Sequence, residues 1–167
     1  MNVLQEAIKK HTNDIINPLN IKPLLMRKVN ELSGGELQRV AIALSLSRDA
    51  HLALLDEPSA YLDVEQRLKV SKVIKNVSEI KGISSLVVDH DLLFIDYLSD
   101  RLLVFEGEPA VKGKACGPFA MEHGMNSLLE DVSISLRREK ESGRPRINKQ
   151  DSHLDREQKD KGKLYYG

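Results

Sequence analysis

The stretch that decides the fold reads Leu-Ser-Gly-Gly-Glu-Leu-Gln-Arg and occupies residues 32–39. Serine and glycine directly before a long apolar run favour a helix start, and we predict a helix from Gly34 to about Arg48. The first N–H groups of a helix have no partner inside it and lie at the positive end of its dipole, so they can bind a phosphate oxygen. Ser-Gly-Gly on its own is also common in ordinary turns. The candidate anion-binding residues are Ser33, Gly34, Gly35 and Glu36.

Two apolar segments further along the chain end in side chains that can carry chemistry. Residues 52–55 lead into Asp56 and Glu57, and residues 86–88 lead into Asp89 and His90. Unbroken apolar runs favour strands of a parallel sheet covered on both faces, and ligands bind at the carboxyl edge of such sheets. Taken singly, an acid pair or a histidine is more often an ordinary surface group. Their joint occurrence predicts that Asp56, Glu57 and His90 share one edge.

Strands and helices alternate in the remaining pattern. The order β-α-β-α-β predicts an α/β fold with a mostly parallel sheet and right-handed crossovers. The helix that starts at Gly34 is apolar nearly all round, which predicts that it is buried on all sides. From Ser142 onward, glycine, proline, lysine and asparagine predict an extended arm that wraps rather than packs. The other predicted elements are helices at residues 2–11, 63–80, 91–98 and 117–130 and strands at 51–55, 83–89 and 101–106.

Composition limits the function classes. The chain has 167 residues, enough for one domain or for one domain with an appendage. Its 25 basic and 25 acidic residues cancel, so no global charge attracts nucleic acid or a membrane. The single cysteine, Cys116, excludes an internal disulfide and suits a reducing compartment. No apolar run reaches the ~18 residues that cross a bilayer. We therefore predict a cytoplasmic protein that does not bind membranes.

The order and spacing of these motifs resemble the C-terminal half of an ABC-type ATPase domain. More of the sequence, from about Pro18 to Tyr166, is similar to the second nucleotide-binding domain of the RNase L inhibitor family, soluble twin-cassette ATPases that split ribosomes. The tyrosine at position 61 and the Arg-Pro-Arg at 144–146 are unusual in other ABC proteins. The segments that carry the resemblance are residues 31–41, 57–67, 97–101 and 144–149.

This resemblance implies a domain organisation. Residues 1–48 would be part of the helical signature subdomain. Residues 49–132 would be half of a P-loop (RecA-like) core with the Walker B strand, the D-loop and the switch histidine, and residues 133–167 would be a hinge arm. No G-x-x-x-x-G-K-[ST] loop occurs in the sequence, so the phosphate-binding lysine is absent. We expect a fragment that is inactive alone and exposes apolar surface covered in the whole protein.

The resemblance also implies roles for residues. Asp56 would hold Mg²⁺ through water, Glu57 would orient or deprotonate the attacking water, and His90 would contact the γ-phosphate of ATP. Residues 33–36 would complete, in trans, the site of the opposing cassette. The D-loop residues Ser59 and Asp63 would report closure of the two cassettes. The residues that would bind the partner cassette or ribosomal RNA are Arg67, Arg144, Arg146 and Lys149.

ATP and Mg²⁺ are the implied ligands, with no iron–sulfur cluster within this chain. The implied partners are the opposing ABC cassette, the missing N-terminal half, a ribosomal subunit with its rRNA, and translation release factors.

Three alternatives stay open: the C-terminal ATPase half of a Rad50 or SMC-like DNA-repair protein, a transporter nucleotide-binding domain, and a non-catalytic interaction module. A Rad50-like half should follow long heptad repeats, which residues 1–30 lack, and transporters as a rule lack the Arg-Pro-Arg tail.

Overall fold

The computed structural model describes residues 11–108, 110–139, 141 and 145–165. The chain forms two compact units, one reaching Leu98 and the other beginning at Ser99. Except for His11, the helix predicted at residues 2–11 lies outside the described residues, and so does Arg144. The division at residues 48 and 132 stays a prediction.

The first unit alternates helices and strands, as the sequence predicts. Its two strands pair in parallel, with Leu54 opposite Leu86 and Asp56 opposite Val88, so both strands end at one edge. Short helical turns at Thr12–Ile16, Lys22–Leu24 and Val29–Glu31 precede the regular elements. These are α1 (Gly34–Ser47), β1 (Leu52–Asp56), α2 (Val64–Lys81), β2 (Ser84–Val88) and α3 (Leu92–Leu98).

Helix α2 begins and ends where its terminal residues dictate. The side chain of Asp63 accepts a hydrogen bond of 2.8 Å from the N–H of Gln66, which satisfies a donor that the helix leaves open. Gly82 follows the helix with φ 63°, a left-handed conformation that glycine adopts without strain. The helix predicted at residues 63–80 is thus confirmed, with bounds Val64–Lys81.

The core of the first unit lies on one face of the sheet. Its buried cluster includes Ile42 and Leu46 of α1, Val70 and Ile74 of α2, and Leu55 of β1. The prediction that α1 is buried on all sides is wrong, because only one stripe of the helix packs into this core.

Among the described residues one face of the sheet is uncovered, which contradicts the expectation of a sheet covered on both faces and agrees with the expectation that this chain exposes apolar surface. Alternate residues of β1 are buried and exposed, so Ala53 and Leu55 pack inward while Leu52 and Leu54 do not. Leu86 and Val88 of β2 are exposed as well. We call these four residues, Leu52, Leu54, Leu86 and Val88, the apolar sheet face.

The second unit contains β3 (Arg101–Glu108), β4 (Lys112–Ala120), α4 (Met121–Asp131), β5 (Leu136–Arg138), β6 (Pro145–Ile147) and α5 (His153–Asp160). Strands β3 and β4 pair antiparallel. The prediction of a mostly parallel sheet is therefore wrong, since the described strands form one parallel and two antiparallel pairs. A tight turn, in which the N–H of Val111 donates to Glu108 O at 3.0 Å, returns the chain beside β3 instead of through a crossover. Residues 117–120, predicted as helix, belong to β4.

The prediction of an extended, non-packing arm from Ser142 is wrong as well. Strands β5 and β6 pair antiparallel, and Ser152 caps α5 by accepting the N–H of Asp155 at 3.3 Å. The carboxylate of Asp155, which is 1% exposed, accepts hydrogen bonds from Ser135 Oγ at 2.5 Å and Lys159 Nζ at 2.9 Å. The hydroxyl of Ser135 and then the Lys159 side chain lower the pKa of Asp155 to about 2. Buried polar contacts thus fix the C-terminal segment within the second unit.

No helix in the part of the chain that the structure describes is both long and apolar enough to cross a membrane.

Candidate functional site

The carboxyl ends of β1 and β2 bring together the three residues predicted to share an edge. Asp56 is the last residue of β1, and the N–H of Glu57 donates to Val88 O of β2 at 2.7 Å. Nδ1 of His90 lies 3.4 Å from Oε1 of Glu57, and the two side chains are 75% and 55% exposed. A ligand can therefore reach both from solvent. Their meeting at one edge is as predicted, and their chemical roles stay predictions.

Glu57 has an unusual backbone conformation. Its φ is 44°, in the left-handed region that residues other than glycine seldom occupy. Such conformations persist where surrounding bonds fix them, and they concentrate at functional sites. The carbonyl oxygen of Glu57 accepts the N–H of Ala60 at 3.1 Å and Nε2 of Gln38 at 3.1 Å. Gln38 could not be recognised as a site residue from the sequence, because no local pattern marks a contact between α1 and the turn after β1.

Asp89 joins the end of β2 to the turn after β1. Its carboxylate accepts the hydroxyl of Ser59 at 2.8 Å and the N–H of Ser59 at 3.0 Å. Oδ1 also accepts the N–H of Asp91 at 2.9 Å. Ser59 is buried, so it holds the two loops together and does not face solvent. Asp89 is not among the predicted site residues, although its position directly before His90 is a signal in the sequence.

The start of α1 is fixed by reciprocal hydrogen bonds. Ser33 Oγ accepts the N–H of Glu36 at 3.4 Å, and Oε2 of Glu36 accepts the N–H of Ser33 at 2.8 Å. Arg27 Nη1 lies 2.8 Å from Oε1 of Glu36. The hydrogen bonds with Ser33, backbone first, lower the pKa of Glu36. Glu36 is thus a capping residue of the motif.

The N–H groups of Gly34 and Gly35 donate to no other group in the described ranges. They lie at the N-terminus of a helix of 14 residues, which is the arrangement that favours an anion. The predicted anion-binding residues therefore divide into two capping side chains and two open backbone donors.

Tyr61 packs against the glycine pair. A Cβ atom on Gly35 would lie 2.9 Å from the carbonyl oxygen of Tyr61, and one on Gly34 would lie 3.2 Å from its ring. Tyr61 itself is 81% exposed with φ 61°. Only glycine fits here without movement of the segment that joins β1 to α2. Asp63, at the end of that segment, is the N-cap of α2.

The basic residues predicted to bind a partner lie in different units. Arg67 is on α2 in the first unit, where its guanidinium pairs with Asp91. Arg146 and Lys149 belong to the second unit. Arg146 Nη2 lies 3.1 Å from Oε1 of Glu139, while the side chain of Lys149 is exposed. Arg144 lies outside the described residues.

Among the described residues, no three His, Cys, Asp or Glu side chains are grouped closely enough to hold a metal ion. Mg²⁺ in nucleotide sites is commonly held by one or two carboxylates together with phosphate oxygens. The exposed carboxylate of Asp56 at the sheet edge fits such a site, in which the nucleotide supplies the other ligands.

The ABC transporter family model matches residues 1–60. An uncharacterised ABC transporter ATP-binding protein of Methanocaldococcus jannaschii is 56% identical over 156 residues, which cover 93% of this chain and 26% of that protein. A solved structure of RNase-L Inhibitor shares 57% identity and a TM-score of 0.86, and the match covers 93% of this chain and 30% of that one. The archaeal ribosome recycling factor aABCE1, solved with the ribosomal stalk protein aP1, shares 53% identity and a TM-score of 0.91. That match covers 99% of this chain and 33% of the solved one. The chain thus spans about a quarter to a third of the length of these relatives.

Proposed function

Because this chain is an ABC ATPase region homologous to the RNase L inhibitor proteins, we propose that it is the signature and Walker B half of a nucleotide-binding cassette, the second of a ribosome-recycling ATPase. The observation that carries the proposal is the approach of Glu57 and His90 to 3.4 Å at the sheet edge, beside the segment that contacts Gly34 and Gly35. The first unit therefore holds groups for two different tasks, hydrolysis at the sheet edge and phosphate binding at the start of α1.

At the carboxyl edge of its parallel sheet, the first unit carries the groups for hydrolysis. Glu57 orients or deprotonates the attacking water, since an exposed carboxylate can accept its proton. His90, whose Nδ1 faces Glu57, donates to the γ-phosphate and stabilises charge there. Asp56 would hold Mg²⁺ through water, and the ion would supply further charge compensation at the phosphates.

At the start of α1, the open N–H groups of Gly34 and Gly35 bind the phosphates of a nucleotide held by the opposing cassette. The reciprocal bonds between Ser33 and Glu36 keep these donors in place, and the hydroxyl of Ser33 can still donate its own proton to the phosphates. Asp63 and Ser59 hold the two ends of the D-loop, the segment between Glu57 and α2. This loop reports closure of the two cassettes to the nucleotide sites.

The apolar sheet face receives the other half of the cassette. Leu54 and Leu86 are paired across β1 and β2 and are 66% and 45% exposed, so covering them releases water from contiguous apolar surface. A half that carries a Walker A loop would add the lysine and backbone donors for the β- and γ-phosphates that this sequence lacks. Without that half, we expect no ATP hydrolysis.

In the whole protein, ATP binding and hydrolysis would drive ribosome recycling in the cytoplasm. The similarity to an archaeal ribosome recycling factor solved with a ribosomal stalk protein supports this assignment. The proposed partners are the opposing cassette, a ribosomal subunit with its rRNA, and translation release factors. Arg67, Arg144, Arg146 and Lys149 would contact the partner cassette or ribosomal RNA. We favour the cassette, because residues 131–167 hold 10 Lys/Arg against 7 Asp/Glu, and a net charge of +3 is weak for an RNA-binding segment.

Co-sedimentation with ribosomal subunits tests this function. The chain is joined to its complementary half and first cassette and then sedimented with subunits in the presence of ADP or of a non-hydrolysable ATP analogue. The proposal predicts more protein in the ribosomal pellet with the analogue. Equal amounts with both nucleotides would contradict it. Nucleotide-dependent retention on DNA with none on ribosomes would favour the Rad50 or SMC-like alternative instead.

A further inference from the structure

We propose that Gln38 is a positioning residue for Glu57, so that the helix presenting Gly34 and Gly35 to one nucleotide also fixes the catalytic carboxylate that acts on the other. This inference rests on the proposed function. The contact that supports it joins two motifs that are 19 residues apart in the chain, since Nε2 of Gln38 donates to the carbonyl oxygen of Glu57 at 3.1 Å.

The backbone of Glu57 needs such a contact because of its left-handed conformation. Three hydrogen bonds fix this residue, and two of them arise from its immediate surroundings. The N–H of Glu57 donates to Val88 O at 2.7 Å, and its carbonyl accepts the N–H of Ala60 at 3.1 Å. Of these three bonds, the one from Gln38 is the one that ties Glu57 to a helix, since Val88 belongs to β2 and Ala60 to the turn after β1. It therefore makes the orientation of the Glu57 carboxylate depend on the position of α1.

Gln38 lies on the part of α1 that a ligand at the helix start would affect. It follows Gly34 by four residues, so the two lie on the same face, one helical turn apart. A phosphate drawn to the N–H groups of Gly34 and Gly35 shifts or stabilises this turn. The side-chain amide of Gln38 carries that change to the carbonyl of Glu57.

Gln66 provides a matched control. Its side-chain oxygen would lie 3.4 Å from a Cβ on Gly35, so it borders the same helix start, but it is not the residue that donates to Glu57. Gln38→Met and Gln66→Met remove the same amide at nearly constant volume. A role limited to packing near the glycines predicts equal effects of the two substitutions.

Hydrogen exchange in the chain itself tests the contact without any nucleotide. Gln38→Met should raise the amide exchange rates of Glu57 and Ala60 by about tenfold or more, while Gln66→Met leaves them within twofold. Unchanged rates at Glu57 and Ala60 in Gln38→Met would overturn the proposal. Because this measurement needs no ATP, its outcome does not depend on whether the proposed function is correct.

Kinetics of the complemented ATPase test the consequence. Gln38→Met should lower kcat about fivefold to tenfold, as expected for one lost hydrogen bond, and leave KM for ATP within twofold. In a Glu57→Gln background it should cause no further loss, because Gln38 acts through Glu57. Multiplicative losses in the double variant would overturn the positioning role. If the parental complemented protein shows no turnover, the proposed function fails, and the exchange measurement then decides the contact alone.

Discussion

Oε1 of Glu57 and Nδ1 of His90 lie 3.4 Å apart, although the two residues follow different strands. Parallel pairing of β1 with β2 produces this contact, because Asp56 is opposite Val88 and both strands end together. The bonds between Asp89 and Ser59 then fix the loops that follow. The register of β1 and β2 therefore determines where Glu57 and His90 lie. Substitutions near the site should alter activity by moving these two side chains.

The chain alone should hydrolyse no ATP above the background of the buffer. Nothing in its sequence supplies the Walker A lysine and loop amides that neutralise the β- and γ-phosphates. The measurement is phosphate release with purified chain, compared with the Glu57→Gln variant. Turnover that disappears in that variant would show that the chain carries a complete site, contrary to our account.

Gly35→Ala should lower turnover more than its effect on the free energy of unfolding suggests. The added Cβ would meet the carbonyl oxygen of Tyr61 at 2.9 Å, so the D-loop must move, at a cost of about 1–3 kcal/mol. Gly82→Ala is the control, since a Cβ there meets nothing within 4 Å and costs about 1 kcal/mol through the left-handed φ. Urea unfolding measures both costs. In the complemented protein only Gly35→Ala should abolish turnover, and equal activities of the two variants would count against the packing described for Tyr61.

Leu54→Gln combined with Leu86→Gln should reduce self-association of the chain without unfolding it. Both side chains belong to the exposed apolar sheet face, so the substitutions remove apolar surface from contact with water and with other copies. Sedimentation velocity measures the association. The free energy of unfolding, measured in urea, should change by less than about 0.5 kcal/mol. Leu55→Ala, on the buried face of β1, should instead cost about 2–5 kcal/mol. A similar loss of stability in the Gln variant would mean that this face is covered in the chain.

Asp155→Asn should destabilise the chain at neutral pH and flatten the acid limb of its stability curve. The pKa of Asp155 is lowered from 3.8 to about 2 in the folded chain. Its carboxylate therefore stabilises the fold at pH values above 3.8, and this stabilisation is lost as the pH falls through the folded pKa of about 2. Circular dichroism melts between pH 7 and pH 2 measure the effect. Asp160→Asn removes the same charge from an exposed position of the same helix and should leave the curve unchanged. A parallel shift of both curves would contradict a special role for Asp155.

Local signals in the sequence predict much of the first unit. Asp63 and Gly82 mark the ends of α2 through bonds and torsions within a few residues, and the apolar runs before Glu57 and His90 predict β1 and β2. The second unit depends on pairing between distant segments. Gly113, Gly117 and Pro118 do not favour a strand, yet β4 forms because β3 supplies its hydrogen bonds.

Buried polar contacts were the other feature that the sequence could not predict. Hydropathy places Asp155 and Gln158 on the surface of an arm, whereas both are buried and bonded to β5 or to Ser135. The contact of Gln38 with Glu57 likewise joins an ordinary helix residue to a carbonyl on another element. Such contacts depend on three-dimensional packing, so neither spacing nor composition reveals them.

Turnover of the Glu57→Gln variant in the complemented protein tests the central claim most directly. The substitution keeps the size and hydrogen-bonding capacity of the side chain but removes the base, so ATP should still bind while hydrolysis slows by roughly 10²-fold or more. Glu65→Gln, an exposed residue at the start of α2, serves as the control and should turn over at the parental rate. Hydrolysis by Glu57→Gln at the parental rate would show that Glu57 is not the residue that activates water.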